Sequence, residues 1–90
     1  DNPTYLDSMA WVHYQKKEYD KALECQQKAA AAMPDDAEIL DHLADIHYKL
    51  GNREQAIEAW SKASAIVKDP ALLKVKIQSA KEQPQTKLTP

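Results

Sequence analysis

The chain repeats itself. Shifted by 34 residues, residues 4–34 fall on 38–68 with ten identities in one register: Leu6 on Leu40, Asp7 on Asp41, Ala10 on Ala44, His13 on His47, Tyr14 on Tyr48, Ala22 on Ala56, Glu24 on Glu58, Lys28 on Lys62, Ala29 on Ala63 and Ala31 on Ala65. Conservative pairs fill the gaps, with Met9 on Leu43, Val12 on Ile46 and Leu23 on Ile57. A unit this short cannot bury its own apolar face, so a duplication of this period demands units that stack on one another.

Each unit reads as two helices. Leu40, Leu43, Ala44 and His47 recur at helical spacing and define one buried stripe, followed by Gly51 as a stop able to adopt the left-handed conformation. Asn52 and Glu54 suit the start of the next helix, whose stripe is Ala56, Ile57, Trp60 and Ala63. The first unit repeats this with Leu6, Met9, Ala10 and His13, then Ala22, Leu23 and Ala29. Asn2-Pro3, Asp35-Asp36 after Pro34, and Asp69-Pro70 are cap signatures, proline being tolerated in a first turn that needs no N–H from it. Small residues should mark the helix crossings: Ala10 with Ala22, Ala44 with Ala56. A fifth helix is expected from Pro70 to about Gln83, covering the end of the stack with Ala71, Leu72, Val75 and Ile77 while its lysines face water. Residues 84–90 read as a disordered tail.

The 34-residue period, the small crossings, Tyr14 and Tyr48, and the stretch Leu50-Gly51-Asn52-Arg53-Glu54-Gln55-Ala56 together resemble the tetratricopeptide repeat family. The resemblance implies an all-α fold: a right-handed α-solenoid of two hairpins (residues 1–35 and 36–69) closed by a capping helix (70–83). The opening stretch Asp1 to Trp11 looks like the C-terminal repeats of longer bacterial members, and a chain that opens at Asp1 reads as a piece of a larger protein. Two departures stand out. Lys17 occupies the turn position of the first unit where the family has glycine, and Gln26 stands where Trp60 stands in the second.

Composition excludes several classes of function. The net charge of −2 gives no basic footprint for nucleic acid. Residues 1–70 carry thirteen acidic and eight basic side chains, a net of −5, while residues 71–90 carry +3. No apolar run is long enough to insert in a membrane. A lone cysteine, Cys25, cannot form an internal disulfide, and the histidines lack metal-ligand spacing. With one glycine there is no phosphate loop, and no nucleophile motif is present. The expectation is a protein that is not an enzyme, with no metal and no cofactor.

In the family the first helix of each hairpin lines a concave surface. The residues outside the buried stripes are then groove candidates: Asp7, Trp11 and Tyr14, flanked by Thr4 and Gln15, and Glu38, Asp41, Asp45, Tyr48 and Lys49. They describe an acidic surface with three aromatics, suited to a protein or peptide partner with basic residues. The family's carboxylate clamp for acidic chaperone tails would fall on Asp7, Trp11, His42, Leu72 and Lys76, where a single residue has the required charge. Chaperone-tail binding is therefore not expected. The alternative reading is structural, a solenoid end that caps a longer array or self-associates.

Overall fold

The computed structural model describes residues 2–82, and the expected tail at 84–90 lies outside them. Five helices follow in order: α1 (Pro3–Gln15), α2 (Tyr19–Ala32), α3 (Ala37–Lys49), α4 (Arg53–Ile66) and α5 (Ala71–Glu82). Three starts are capped by side chains. Asn2 Oδ1 accepts from the Thr4 N–H at 2.8 Å with Pro3 at the first turn, Asp36 Oδ1 accepts from Ile39 N–H at 3.0 Å, and Asp69 Oδ1 accepts from Ala71 N–H at 3.2 Å. Asn52 does not cap α4 with its side chain; its amide turns back to donate to His47 Nδ1 at 3.2 Å.

Both hairpin turns close the same way. Asn52 N–H reaches His47 O at 2.8 Å and Gly51 N–H reaches Tyr48 O at 3.1 Å, the paired bonds of a Schellman motif. The first turn repeats them, Glu18 N–H to His13 O and Lys17 N–H to Tyr14 O, both at 2.9 Å. The motif needs a left-handed residue, supplied by Gly51 at φ 85° and by Lys17 at φ 64°. Lys17 thus takes on the glycine conformation with a side chain in the way.

Consecutive helices pack in pairs, and α1 also touches α3. Ala10, Ala22, Ala29, Ala44, Ala56 and Ala63 are fully buried, so backbones approach closely at the crossings. The larger core lies in the second hairpin and α5, around Leu40, Trp60 and Leu73. A smaller one joins Ala10 and Ala22 to Ile46, which reaches back from α3 into the first hairpin. Gln26 fills the place of Trp60 in that hairpin and is completely buried, donating to Asp7 Oδ1 at 2.6 Å and to Ile39 O at 3.0 Å. Its Oε1 has no partner among the described residues.

The terminal helix departs from expectation in an informative way. Leu72 and Val75 are exposed, while Leu73 and Ala80 are buried and Ile77 is partly so. The 34-residue register explains it. Leu73 corresponds to Ile39 and Ala80 to Ile46, so α5 sits on α4 as α3 sits on α2. It is placed like the first helix of a hairpin. Where a hairpin partner would pack, at the places of Leu40, Ala44 and His47, it carries Lys74, Gln78 and Lys81.

Candidate functional site

The recurrent aspartates on α1 and α3 are structural as well as surface groups. Asp41 Oδ1 accepts from Trp60 Nε1–H and from Lys76 Nζ, each at 2.9 Å. Asp7 Oδ1 accepts from Gln26 Nε2 and from His42 Nδ1, the latter at 2.9 Å. The two sets are related by 34 residues at every member. In each, an aspartate takes one bond from its own hairpin and one from the first helix of the next unit. The lysines of α5 were expected in water; Lys76 instead ties α5 to α3.

Asp45 is different. Its contact to Lys76 is long, 3.5 Å, and its side chain is about one-quarter exposed (24%). Burial raises the Asp45 pKa above the ordinary carboxylate value, and the field of Asp41 adds to the rise despite the attraction of Lys76. For Lys76, burial works against the charge, but the hydrogen bond to Asp41 and the field of Asp45 outweigh it and raise the pKa. A matched ion pair would move the two partners in opposite directions. Both rise here because burial of the Asp45 carboxyl outweighs the pull of Lys76, while the two aspartates together outweigh the burial of Lys76.

Beside Asp45 lies an aromatic group. Trp11 stacks on Tyr14 with centroids 4.6 Å apart and planes 8° apart, and tilts over the His42 ring at 5.3 Å. Tyr14 in turn meets the edge of Tyr19 at 5.4 Å. Burial and then the Asp45 charge raise the Tyr14 pKa, which places that carboxylate within electrostatic reach of the stack. Trp11 remains 38% exposed and so offers a free surface. On the other side of Asp45, Tyr48, Trp60, Lys76, Ser79 and Ala80 complete a pocket of about 210 Å³.

Of the eight groove candidates, Trp11 and Tyr14 stack on each other, the Asp45 charge acts on Tyr14, and Tyr48 lines the pocket with Asp45, 5.8 Å from the Trp60 ring. Asp7 and Asp41 line the same stripe but are tied into the inter-helix bonds. Glu38 and Lys49 are exposed and hold no ion pair among the described residues, as with Thr4 and Gln15. His42, Lys76 and Ser79 also belong to this surface, with Trp60 buried behind it, and none was among the candidates. The register holds the signal that finds two of them, because His42 and Lys76 are 34 residues apart.

Two helical hairpins related by 34 residues, packed in succession and followed by a fifth helix, define a helical-repeat scaffold. The sequence profile of the tetratricopeptide repeat family matches residues 3–36 and again 37–70. The chain belongs to that family, whose repeats mediate protein–protein interaction or scaffolding. No curated protein matches the chain at a significant level.

Proposed function

We propose that the chain is a protein-interaction module whose concave surface holds a peptide or partner segment through a basic side chain. The observation that carries this is Asp45, a largely buried carboxylate whose pairing with Lys76 is long at 3.5 Å, near the partly exposed Trp11–Tyr14 stack. A guanidinium or ammonium there gains a charge-assisted bond and a cation–π contact, and relieves the desolvated carboxylate. Four carboxylates on the stripe (Asp7, Glu38, Asp41, Asp45) face two lysines (Lys49, Lys76), so the surface favours cations over anions. An acidic chaperone tail is disfavoured, since Lys76 is already held by Asp41 and Asp45.

Affinity for short arginine-containing peptides tests this reading. Asp45→Asn and Trp11→Ala should each weaken binding about tenfold, equivalent to about 1.4 kcal/mol, with the helical circular dichroism retained. Unchanged affinity in both variants would refute it.

A second reading, self-association or docking to another helical unit, is favoured by one observation. Tyr5 and Val12 are 62% and 47% exposed, while their register equivalents Ile39 and Ile46 are 4% and 0% exposed against the preceding hairpin. The surface that α3 and α5 bury is open on α1. Light scattering across concentration tests it: a mass that rises with concentration and returns to the monomer value in Tyr5→Ser/Val12→Ser supports it, and a constant monomer mass counts against self-association.

A further inference from the structure

We infer that the recognition surface continues onto α5, where Leu72 and Val75 form an aliphatic subsite, so that the preferred partner is an extended segment pairing a basic with an aliphatic side chain about four residues apart. This rests on the reading of the concave surface as a peptide site.

The register supplies the placement. Leu72 is the equivalent of Thr4 and Glu38, Val75 of Asp7 and Asp41, and Ser79 of Trp11 and Asp45. The bonds Asp7–His42 and Asp41–Lys76, equivalent and both 2.9 Å long, hold Lys76 of α5 against α3 as His42 of α3 is held against α1. Leu72 and Val75 therefore lie on the same concave row as the groove residues of the two hairpins.

Their apolar character is selective. On the face of α5 that would meet a hairpin partner, the places of Leu40, Ala44 and His47 hold Lys74, Gln78 and Lys81, polar side chains exposed to water. On the concave face the substitution runs the other way. Glu38 and Asp41 are answered by Leu72 and Val75, 68% and 62% exposed. Solubility accounts for the first change and not for the second.

Geometry sets the spacing. Val75 and Leu72 lie four and seven residues up the helix from the level of Asp45, about 6 and 10 Å along the axis. With the axes of α3 and α5, which the Asp41–Lys76 bond joins, about 10 Å apart, the cation seat and the aliphatic pair are separated by roughly 12–14 Å. An extended chain rising about 3.3 Å per residue covers that in about four residues. The carboxylates around the seat give the charge complementarity for the basic end, and the uncharged row Leu72, Val75, Ser79 suits the other.

Selection of a random dodecamer display library against the whole chain tests this. The expected outcome is enrichment of segments with Arg or Lys and Leu, Ile or Val about four residues apart. The same selection on Leu72→Ser/Val75→Ser, both exposed sites, should keep the basic preference and lose the aliphatic one at least fivefold in frequency. Basic enrichment with no fixed aliphatic spacing, or one that survives the double variant, overturns the aliphatic subsite and leaves the cation reading standing. Absence of basic enrichment in the unaltered chain overturns both.

Discussion

Replacing Lys17 by glycine should make the protein more stable, although it removes a side chain and adds backbone freedom. Lys17 sits at φ 64° and closes the first hairpin with the same paired bonds that Gly51 makes at φ 85° in the second. A residue with a Cβ pays about 1–2 kcal/mol for that conformation. Glycine loses about 0.5–1 kcal/mol more backbone entropy on folding. The difference leaves a gain of roughly 0.5–1 kcal/mol for Lys17→Gly. In a domain of this size that is a rise in melting temperature of about 2–8 °C. The reciprocal change, Gly51→Lys, should cost about the same or more. Thermal and urea unfolding followed by circular dichroism measure both. If Lys17→Gly lowered stability, or if Gly51→Lys left it unchanged, the proposed equivalence of the two turns would be wrong.

Ala44→Leu should destabilise by about 1–3 kcal/mol, because Ala44 is fully buried at the α3/α4 crossing; an unchanged melting temperature contradicts the close approach. Trp60→Phe keeps most of the buried ring but deletes the 2.9 Å bond to Asp41, and should cost about 1.5 kcal/mol in urea unfolding. Burial lowers the His47 pKa below 6.5, so the unfolded chain binds more protons between the folded value and 6.5. Stability contributed by neutral His47 is therefore complete above 6.5 and falls as pH drops through that window. Unfolding measured from pH 7.5 downwards should show the loss, and His47→Gln should flatten it. Asp45→Asn should raise stability slightly at neutral pH, because the raised folded pKa means the ionised carboxylate opposes folding there. The same variant should bind arginine peptides less well; a loss of stability instead would show Asp45 to be a structural partner of Lys76.

Most of the architecture was legible in the sequence because a duplicated helical pattern constrains every copy alike. The alanine crossings recur in both copies, and the Asp36 cap and the Gly51 stop follow from local chemistry, although the first copy has Lys17 in place of that glycine. Less legible was what joins one unit to the next. Ile46 looked like a conservative partner of Val12, yet one is sealed and the other open, since burial depends on whether a neighbour is stacked on it. The roles of Asp7 and Asp41 were half visible: their place on the stripe was clear, but not that each is held by a donor from the second helix and another from the following unit. The fifth helix was read by its apolar content instead of by the 34-residue register, which reversed the assignment of Leu72 and Val75 and hid Lys76. Of the groove candidates, charge and spacing put Trp11, Tyr14 and Asp45 on one expected surface. They could not separate Asp45, whose contact to Lys76 is long, from Asp41, fully engaged, because that distinction lies in distances.

The central proposition is that a cation is recognised between Trp11 and Asp45. Titration of an arginine-bearing peptide into the isotopically labelled chain, followed by amide and indole NMR shifts, tests it most directly. Saturable shifts confined to Trp11, Tyr14, His42 and Asp45, and abolished in Asp45→Asn, are the predicted result. Shifts centred on the exposed faces of α2 and α4, or unaltered by the substitution, would contradict it.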